Sequence, residues 1–217
     1  STIVEASEDP EYRRVVNGAD LVVPDGMPVV WVARLKGASQ AKRVCGPDLM
    51  RTICTDYSFT HVRHFFYGAD QDTLDLLQSR LRDLNPEINI CGAIAPPYFP
   101  EAVPESDEVI AKINAAEADI VWVGLGAPKQ DLWAELHRDR LEAPVLIGIG
   151  AAFDFLSGVK PRAPRWMQAC GLEWLFRLCC EPRRLWRRYL IGNTRFCWEI
   201  GKELFGMRKA VEKNAEK

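Results

Sequence analysis

The stretch LVVPDGMPVVW, residues 21–31, stops an apolar run at Pro24, presents one carboxylate at Asp25, turns at Gly26 and becomes apolar again. An acid ahead of a helix can cap it. At the carboxyl end of a parallel strand, where open α/β sheets hold substrates, the same acid can serve as a general base. A second stretch, VGLGAPKQ (123–130), leaves an apolar run and opens a helix. Gly124 and Gly126 permit a tight turn and close backbone approach, Pro128 suits the first helical position, and Lys129 and Gln130 fall where helix N–H groups point outward. This is either a cradle for an anion or polar ligand or an ordinary turn; it matches neither G-x-G-x-x-G nor a P-loop. Asp154, in IGIGAAFDFLSG, again follows an apolar run and a glycine. It can accept the ring N–H of a uracil or cap the following turn. In RVCGPDLM (43–50), Arg43 either contacts substrate or is solvated, and Asp48 reads first as a cap.

Asp70 and Asp72 in ADQD have the spacing of a metal-binding pair, but they open a helix, where acids favour the positive end of the dipole. Capping is the stronger reading, and no metal site is expected. The seven cysteines (45, 54, 91, 170, 179, 180, 197) include no C-x-x-C pair and have only three histidines as co-ligands. They are expected as free buried thiols in a reducing cytosol.

Near the other end lies EWLFRLCCEPRRLWRRYL, residues 173–190. If the stretch is helical throughout, at about 100° per residue, Arg184 and Arg187 fall roughly 20° and 80° from Arg177, although Pro182 can kink the helix between the first and the other two. Guanidinium groups on one face suit a diphosphate, which they bind bidentately without metal. A solvated basic face is the plainer alternative. From 183 to 205, Arg and Lys interleave with Trp186, Tyr189, Leu190, Ile191, Phe196, Trp198, Ile200 and Phe205. That stripe suits a membrane headgroup boundary, and it can equally pack on the body or at the interface of a homo-oligomer.

The elements that must position these residues alternate. Apolar runs at 20–24, 62–68, 88–92, 119–126 and 144–150 read as buried strands, and helical stretches at 27–37, 47–56, 71–84, 105–116 and 129–141 lie between them. Strand–helix repetition predicts an α/β, Rossmann-like three-layer parallel sheet over residues 1–158. Residues 159–217 form a helical, Arg- and Trp-rich appendage, and the proline-rich PPYFPEAVP (96–104) is a loop at a strand's carboxyl end. The 217 residues are 47% apolar and 27% charged with net charge −2, an ordinary globular composition. From Lys160 onward 14 basic residues face 6 acidic ones, so the appendage should meet something anionic. No signal peptide and no uncharged run long enough to span a bilayer is present.

Together, ADLVVPDGMPVVW, RVCGPDLM, VGLGAPKQDLW, GIGAAFDFLSG and PRAPRWMQACGLEWLFRLCCEPRRLWRRY resemble the WecG/TagA/CpsF family of bacterial glycosyltransferases, in family order and over nearly the whole chain. The resemblance implies inverting transfer of a hexose-type sugar (N-acetylmannosamine, its uronic acid, glucose or glucuronic acid) from a UDP-sugar donor to a polyprenyl-diphosphate-linked saccharide acceptor. The implied location is peripheral, on the cytoplasmic face of the inner membrane, in the synthesis of enterobacterial common antigen, teichoic acid linkage units or exopolysaccharide. It puts the catalytic aspartate on Asp25, a polar donor-site residue on Gln130, a uracil-side aspartate on Asp154, and diphosphate-handling arginines on Arg177, Arg184 and Arg187. Pro28 departs from the family's small residue after the Asp-Gly-Met element, and the family's Thr-x-Asn element would fall ahead of residue 1. No cofactor and no nucleic-acid partner is implied. Two alternatives remain: a nucleotide-dependent oxidoreductase, for which the dinucleotide fingerprint is missing, and a non-catalytic module whose basic appendage grips nucleic acid or a membrane.

Overall fold

Four short apolar runs, at 63–68, 89–94, 120–124 and 145–148, pair side by side in one direction. In the computed structural model, residues 2–99 and 101–215 are described, with the side chains of 203–205 and 207–215 outside that description. Helices α1 (Thr2–Glu8), α2 (Pro10–Gly18) and α3 (Met27–Leu35) come first, followed by α4 (Gly46–Thr55). Then come β1 (Arg63–Gly68), α5 (Gln71–Leu84), β2 (Asn89–Ile94), α6 (Asp107–Ala115), β3 (Ile120–Gly124), α7 (Lys129–His137) and β4 (Val145–Gly148). After α8 (Ala152–Ser157) the chain is helical: α9 (Arg165–Ala169), α10 (Glu173–Cys180), α11 (Pro182–Trp186), a π turn (Arg187–Ile191) and α12 (Gly192–Ala215).

The described residues fall into two compact units. One is drawn from 14–25 and 43–162, the other from 1–13, 26–42 and 163–217. The first is the expected Rossmann-like α/β fold. Its sheet has the order β2-β1-β3-β4, all parallel, and the inner strands β1 and β3 are the most deeply buried. Side chains alternate across the sheet. Phe66 and Trp122 face one side, packing with Met50, Leu74, Leu77, Leu81 and Phe153 from α4, α5 and α8. Phe65, Tyr67, Val121 and Val123 face the other, against Ile110, Ile113 and Trp133 from α6 and α7. Each face therefore carries a helical layer.

Local chemistry explains the best-defined helix. Asp70 Oδ1 accepts the Thr73 N–H at 2.7 Å, so Asp70 caps α5. Leu74, Leu77 and Leu81 then recur at helical spacing on the buried face. Ser106 caps α6 in the same way by accepting from Val109. Among the described residues no group of His, Cys, Asp and Glu is gathered to hold a metal ion, and no helix is long and apolar enough to cross a membrane.

Two expectations fail. Residues 21–25 have no regular secondary structure and lie outside the sheet, with Leu21 79% and Val22 61% exposed, so Asp25 does not end a buried strand. Apolar composition supplied the signal, but a strand also needs a neighbouring edge to pair with. The thiols also divide: Cys45 and Cys54 are buried and Cys91 is half-buried, whereas Cys170, Cys179, Cys180 and Cys197 are exposed. The exposed four all lie in the helical second unit, Cys170 just past the end of α9 and the others on α10 and α12, where apolar neighbours in sequence need not be neighbours in a core.

The second unit contains α1, the start of α2, α3 and α9 to α12. Arg195 on α12 pairs with Glu8 on α1 at 2.6 Å, and Arg13 donates to the carbonyls of Ala6 and Ser7. Val4, Val30 and Leu185 are buried.

Candidate active site

The order of strands reverses between β1 and β3: the chain steps from β1 to β2 on one side, then crosses to β3 on the other. Ligands of open α/β sheets bind at the carboxyl ends beside such a reversal. Here the two strand ends are glycines. Gly68 has φ +128, and a Cβ on it would lie 2.7 Å from the Gly124 carbonyl group. A Cβ on Gly124 would lie 2.5 Å from the Phe153 ring. Neither position accepts a side chain without displacing its neighbour.

Asp25 is exposed, and its backbone is held in two places. Arg43 Nε donates to the Asp25 carbonyl at 2.7 Å, and the Val44 N–H donates to the Pro24 carbonyl at 3.0 Å. Arg43, expected on substrate or in solvent, thus spends one donor on fixing Asp25. Helix α3 starts after Asp25, with Gly26 as its N-cap and Pro28 in its first turn. Beyond Val44 the chain turns into α4 at Cys45 and Gly46. A Cβ on Gly46 would lie 2.6 Å from the Ile149 carbonyl oxygen, so this corner sits directly against the carboxyl end of β4.

Asp48, expected as a cap, is instead gripped by an arginine 114 residues away. Arg162 donates to both its carboxylate oxygens, Nη2 to Oδ2 at 2.8 Å and Nη1 to Oδ1. The Cys45 thiol donates to Asp48 Oδ2 at 2.9 Å and accepts from Arg162 Nη2 at 3.2 Å. The guanidinium holds the Asp48 pKa down at about 2. Burial, with help from the Asp48 hydrogen bond, lifts Cys45 to about 11, so this thiol stays protonated.

The 123–130 turn is also committed internally. Pro128 is the N-cap of α7 rather than its first residue. Gln130 is 7% exposed; its N–H goes to the Gly126 carbonyl and its Oε1 accepts the Gly150 N–H at 2.8 Å. It therefore ties the turn after β3 to the turn after β4. A Cβ on Gly126, at φ +79, would meet nothing within 4 Å, so the turn is open at that point. Lys129 Nζ donates to the Phe99 carbonyl at 2.6 Å and lies 5.5 Å from the Tyr98 ring. Its charge anchors the proline-rich loop. The far end of that loop is held by Glu105, which accepts from Tyr67 and Trp133 through its carboxylate. The Glu105 carbonyl accepts from Arg140, and its N–H donates to His137 Nε2 at 2.8 Å. The Asp154 carbonyl accepts the Lys160 N–H at 3.0 Å in the turn after α8, and Lys160 Nζ lies 2.7 Å from Asp154 Oδ2.

Asp25, Arg43, Asp48, Gly124, Gly126, Lys129, Gln130 and Asp154 thus all belong to the α/β unit: Gly124 ends β3, Gly126, Lys129 and Gln130 follow it, Asp154 follows β4, and Asp25, Arg43 and Asp48 lie ahead of β1. Arg162, Lys160, Glu105 and His137, which hold those segments in place, were not legible in the sequence, because each acts across more than five residues or through backbone atoms.

Arg177, Arg184 and Arg187 belong to the other unit, and the continuous helix expected to align them is broken. Glu181 (φ −132, ψ 61) separates α10 from α11, where Pro182 has no N–H to continue the ladder. Arg184 pairs with Glu181, and Arg187 lies over the Trp186 ring at 5.2 Å. The arginines whose charge reaches the half-buried Tyr189 hydroxyl are Arg177, Arg188 and Arg184. Trp186, Leu190, Ile191 and Trp198 are exposed, and the side chain of Phe205 lies outside the described residues.

A family model described as the glycosyl transferase WecG/TagA/CpsF family matches residues 1–210. An N-acetylglucosaminyldiphosphoundecaprenol N-acetyl-beta-D-mannosaminyltransferase of Bacillus spizizenii is 36% identical over 186 residues, covering 86% of this chain and 70% of its own length. The protein of the same name from Bacillus subtilis is 33% identical over 185 residues, covering 85% of this chain and 70% of its own.

Proposed function

Because the chain belongs to the WecG/TagA/CpsF family of glycosyl transferases, we propose that it transfers N-acetylmannosamine from a UDP-sugar to a polyprenyl-diphosphate-linked N-acetylglucosamine. The sugar and acceptor follow the names of its relatives. The reaction is a single displacement with inversion. Asp25 takes the proton of the acceptor hydroxyl as its oxygen bonds to the anomeric carbon, while the bond from that carbon to the diphosphate oxygen breaks and UDP departs from the opposite face. What remains is to offset charge growing on the diphosphate, which bidentate guanidinium groups can do without a metal ion. Arg177, Arg184 and Arg187 are assigned that role on the family resemblance. Asp154 is assigned to the uracil ring N–H, and Gln130 to shaping the donor side by joining the two turns.

The observation that most supports this reading is Asp25 itself, an exposed carboxylate on backbone fixed by Arg43 and Val44. A base held this way keeps its geometry while staying open to substrate. We also assign the exposed Trp186, Leu190, Ile191 and Trp198, among the appendage's basic residues, to contact with the cytoplasmic membrane surface where the lipid acceptor lies. The test is to incubate the protein with UDP-N-acetylmannosamine and a short-chain polyprenyl-diphosphate N-acetylglucosamine, following UDP release and the anomeric configuration of the product by NMR. A β-linked disaccharide from the α-linked donor is expected. Retention of configuration, or no transfer to this acceptor while another is used, overturns the proposal.

A further inference from the structure

Asp25 is exposed, and the backbone that carries it hangs on residues 43 and 44. Those residues lead straight into the corner where Cys45 and Gly46 start α4. Two contacts immobilise the corner. On one side Gly46 rests against the Ile149 backbone, too close to admit a Cβ. On the other, Arg162 grips both oxygens of Asp48 and the sulfur of Cys45, and the Cys45 thiol closes the triangle onto Asp48. The Arg162 side chain is 23% exposed although it carries a permanent charge. A planar fork meeting a carboxylate in two parallel bonds fixes orientation as well as distance, which a single-point ammonium cannot do.

We infer that Arg162 is a positioning residue for Asp25: by locking Asp48 and Cys45 it fixes the 43–46 strip from which the Asp25 backbone hangs. The inference rests on the general-base role of Asp25 proposed above. On this account Asp48 serves the catalytic aspartate through the fold, and does not bind substrate. A displacement near 1 Å at a reacting group costs about 10²-fold in rate, so loosening this strip should lower turnover and leave nucleotide binding intact.

Removing the arginine alone would strand the Asp48 carboxylate, so the main variant neutralises both partners, Arg162→Met with Asp48→Asn. Arg162→Lys keeps the charge and loses the fork. In the transfer assay the double variant should lose about 30- to 100-fold in kcat, and Arg162→Lys about tenfold. UDP affinity by calorimetry should stay within twofold for both. Hydrogen exchange supplies a readout independent of activity. The Val44 amide, bonded to Pro24, should exchange at least tenfold faster in the double variant, while the sheet amides of Val121 and Trp122 keep their protection. A kcat within twofold of wild type, an unchanged Val44 amide, or equal loss of protection across the sheet overturns the inference. If Asp25→Asn is inactive while the double variant turns over normally, only the lock fails. If Asp25→Asn turns over like wild type, the base assignment fails and the inference falls with it.

Discussion

One buried histidine gives a stability change that can be worked out from its surroundings. His64 on β1 is 1% exposed, and its Nδ1 accepts the Trp122 indole N–H at 3.2 Å, so the ring is neutral with its proton on Nε2. Burial depresses its pKa to about 4, against a smaller opposite pull from Asp119. In the unfolded chain a histidine titrates near 6.5. Above that pH both states are neutral and nothing changes. Between about 6.5 and about 4 the unfolded chain binds a proton that the folded one refuses, so stability falls as pH falls through this window. With these values the loss from pH 8 to pH 5 is on the order of 2 kcal/mol. His137, whose pKa is also lowered by burial, adds to the same trend. The variant that isolates His64 is His64→Gln, which keeps an acceptor for the Trp122 N–H and cannot titrate. Urea unfolding of both proteins, followed by tryptophan fluorescence at pH 8, 7, 6 and 5, gives the comparison. The stability of wild type minus variant should drop by about 2 kcal/mol on going to pH 5. A difference that stays flat across that range refutes a buried neutral His64.

Three further outcomes follow from particular contacts. Gly46→Ala would place its Cβ 2.6 Å from the Ile149 carbonyl oxygen, so α4 must move off β4; thermal melts should show a loss of about 1–3 kcal/mol, and transfer should fall at least tenfold. Trp186→Ala with Trp198→Ala removes two exposed tryptophans of the appendage, and co-sedimentation with anionic liposomes should weaken by about tenfold or more while UDP binding is kept. If arginines neutralise the diphosphate, EDTA should leave the transfer rate within about twofold; complete loss restored by Mg²⁺ would instead point to metal chemistry.

Much of the architecture was legible because it rests on local signals. Asp70 followed by Leu74, Leu77 and Leu81 announces both the start and the buried face of α5, which runs over the expected 71–84. The runs at 62–68 and 119–126 are apolar on both faces, as inner parallel strands must be, and they became β1 and β3. The segment at 20–24 has the same composition but no partner edge, and composition does not encode pairing. At Pro182 the sequence carried the break, yet not its size: Glu181 leaves helical geometry altogether, so helical angles drawn across it lose their meaning. The candidate site was legible as a set of residue types, since Asp25, Gln130 and Asp154 each end an apolar run. Their partners were not. Arg162 and Asp48 lie 114 residues apart, Arg43 and Lys129 act on backbone carbonyls, and no spacing rule links such pairs.

The most direct test of the central claim is turnover by Asp25→Asn, which keeps the shape of the side chain and removes its basicity. The account predicts that kcat for transfer from UDP-N-acetylmannosamine falls by a factor of about 10²–10⁴ while UDP affinity, measured by calorimetry on the same preparation, is unchanged. Turnover close to wild type in that variant, with UDP bound normally, would contradict it.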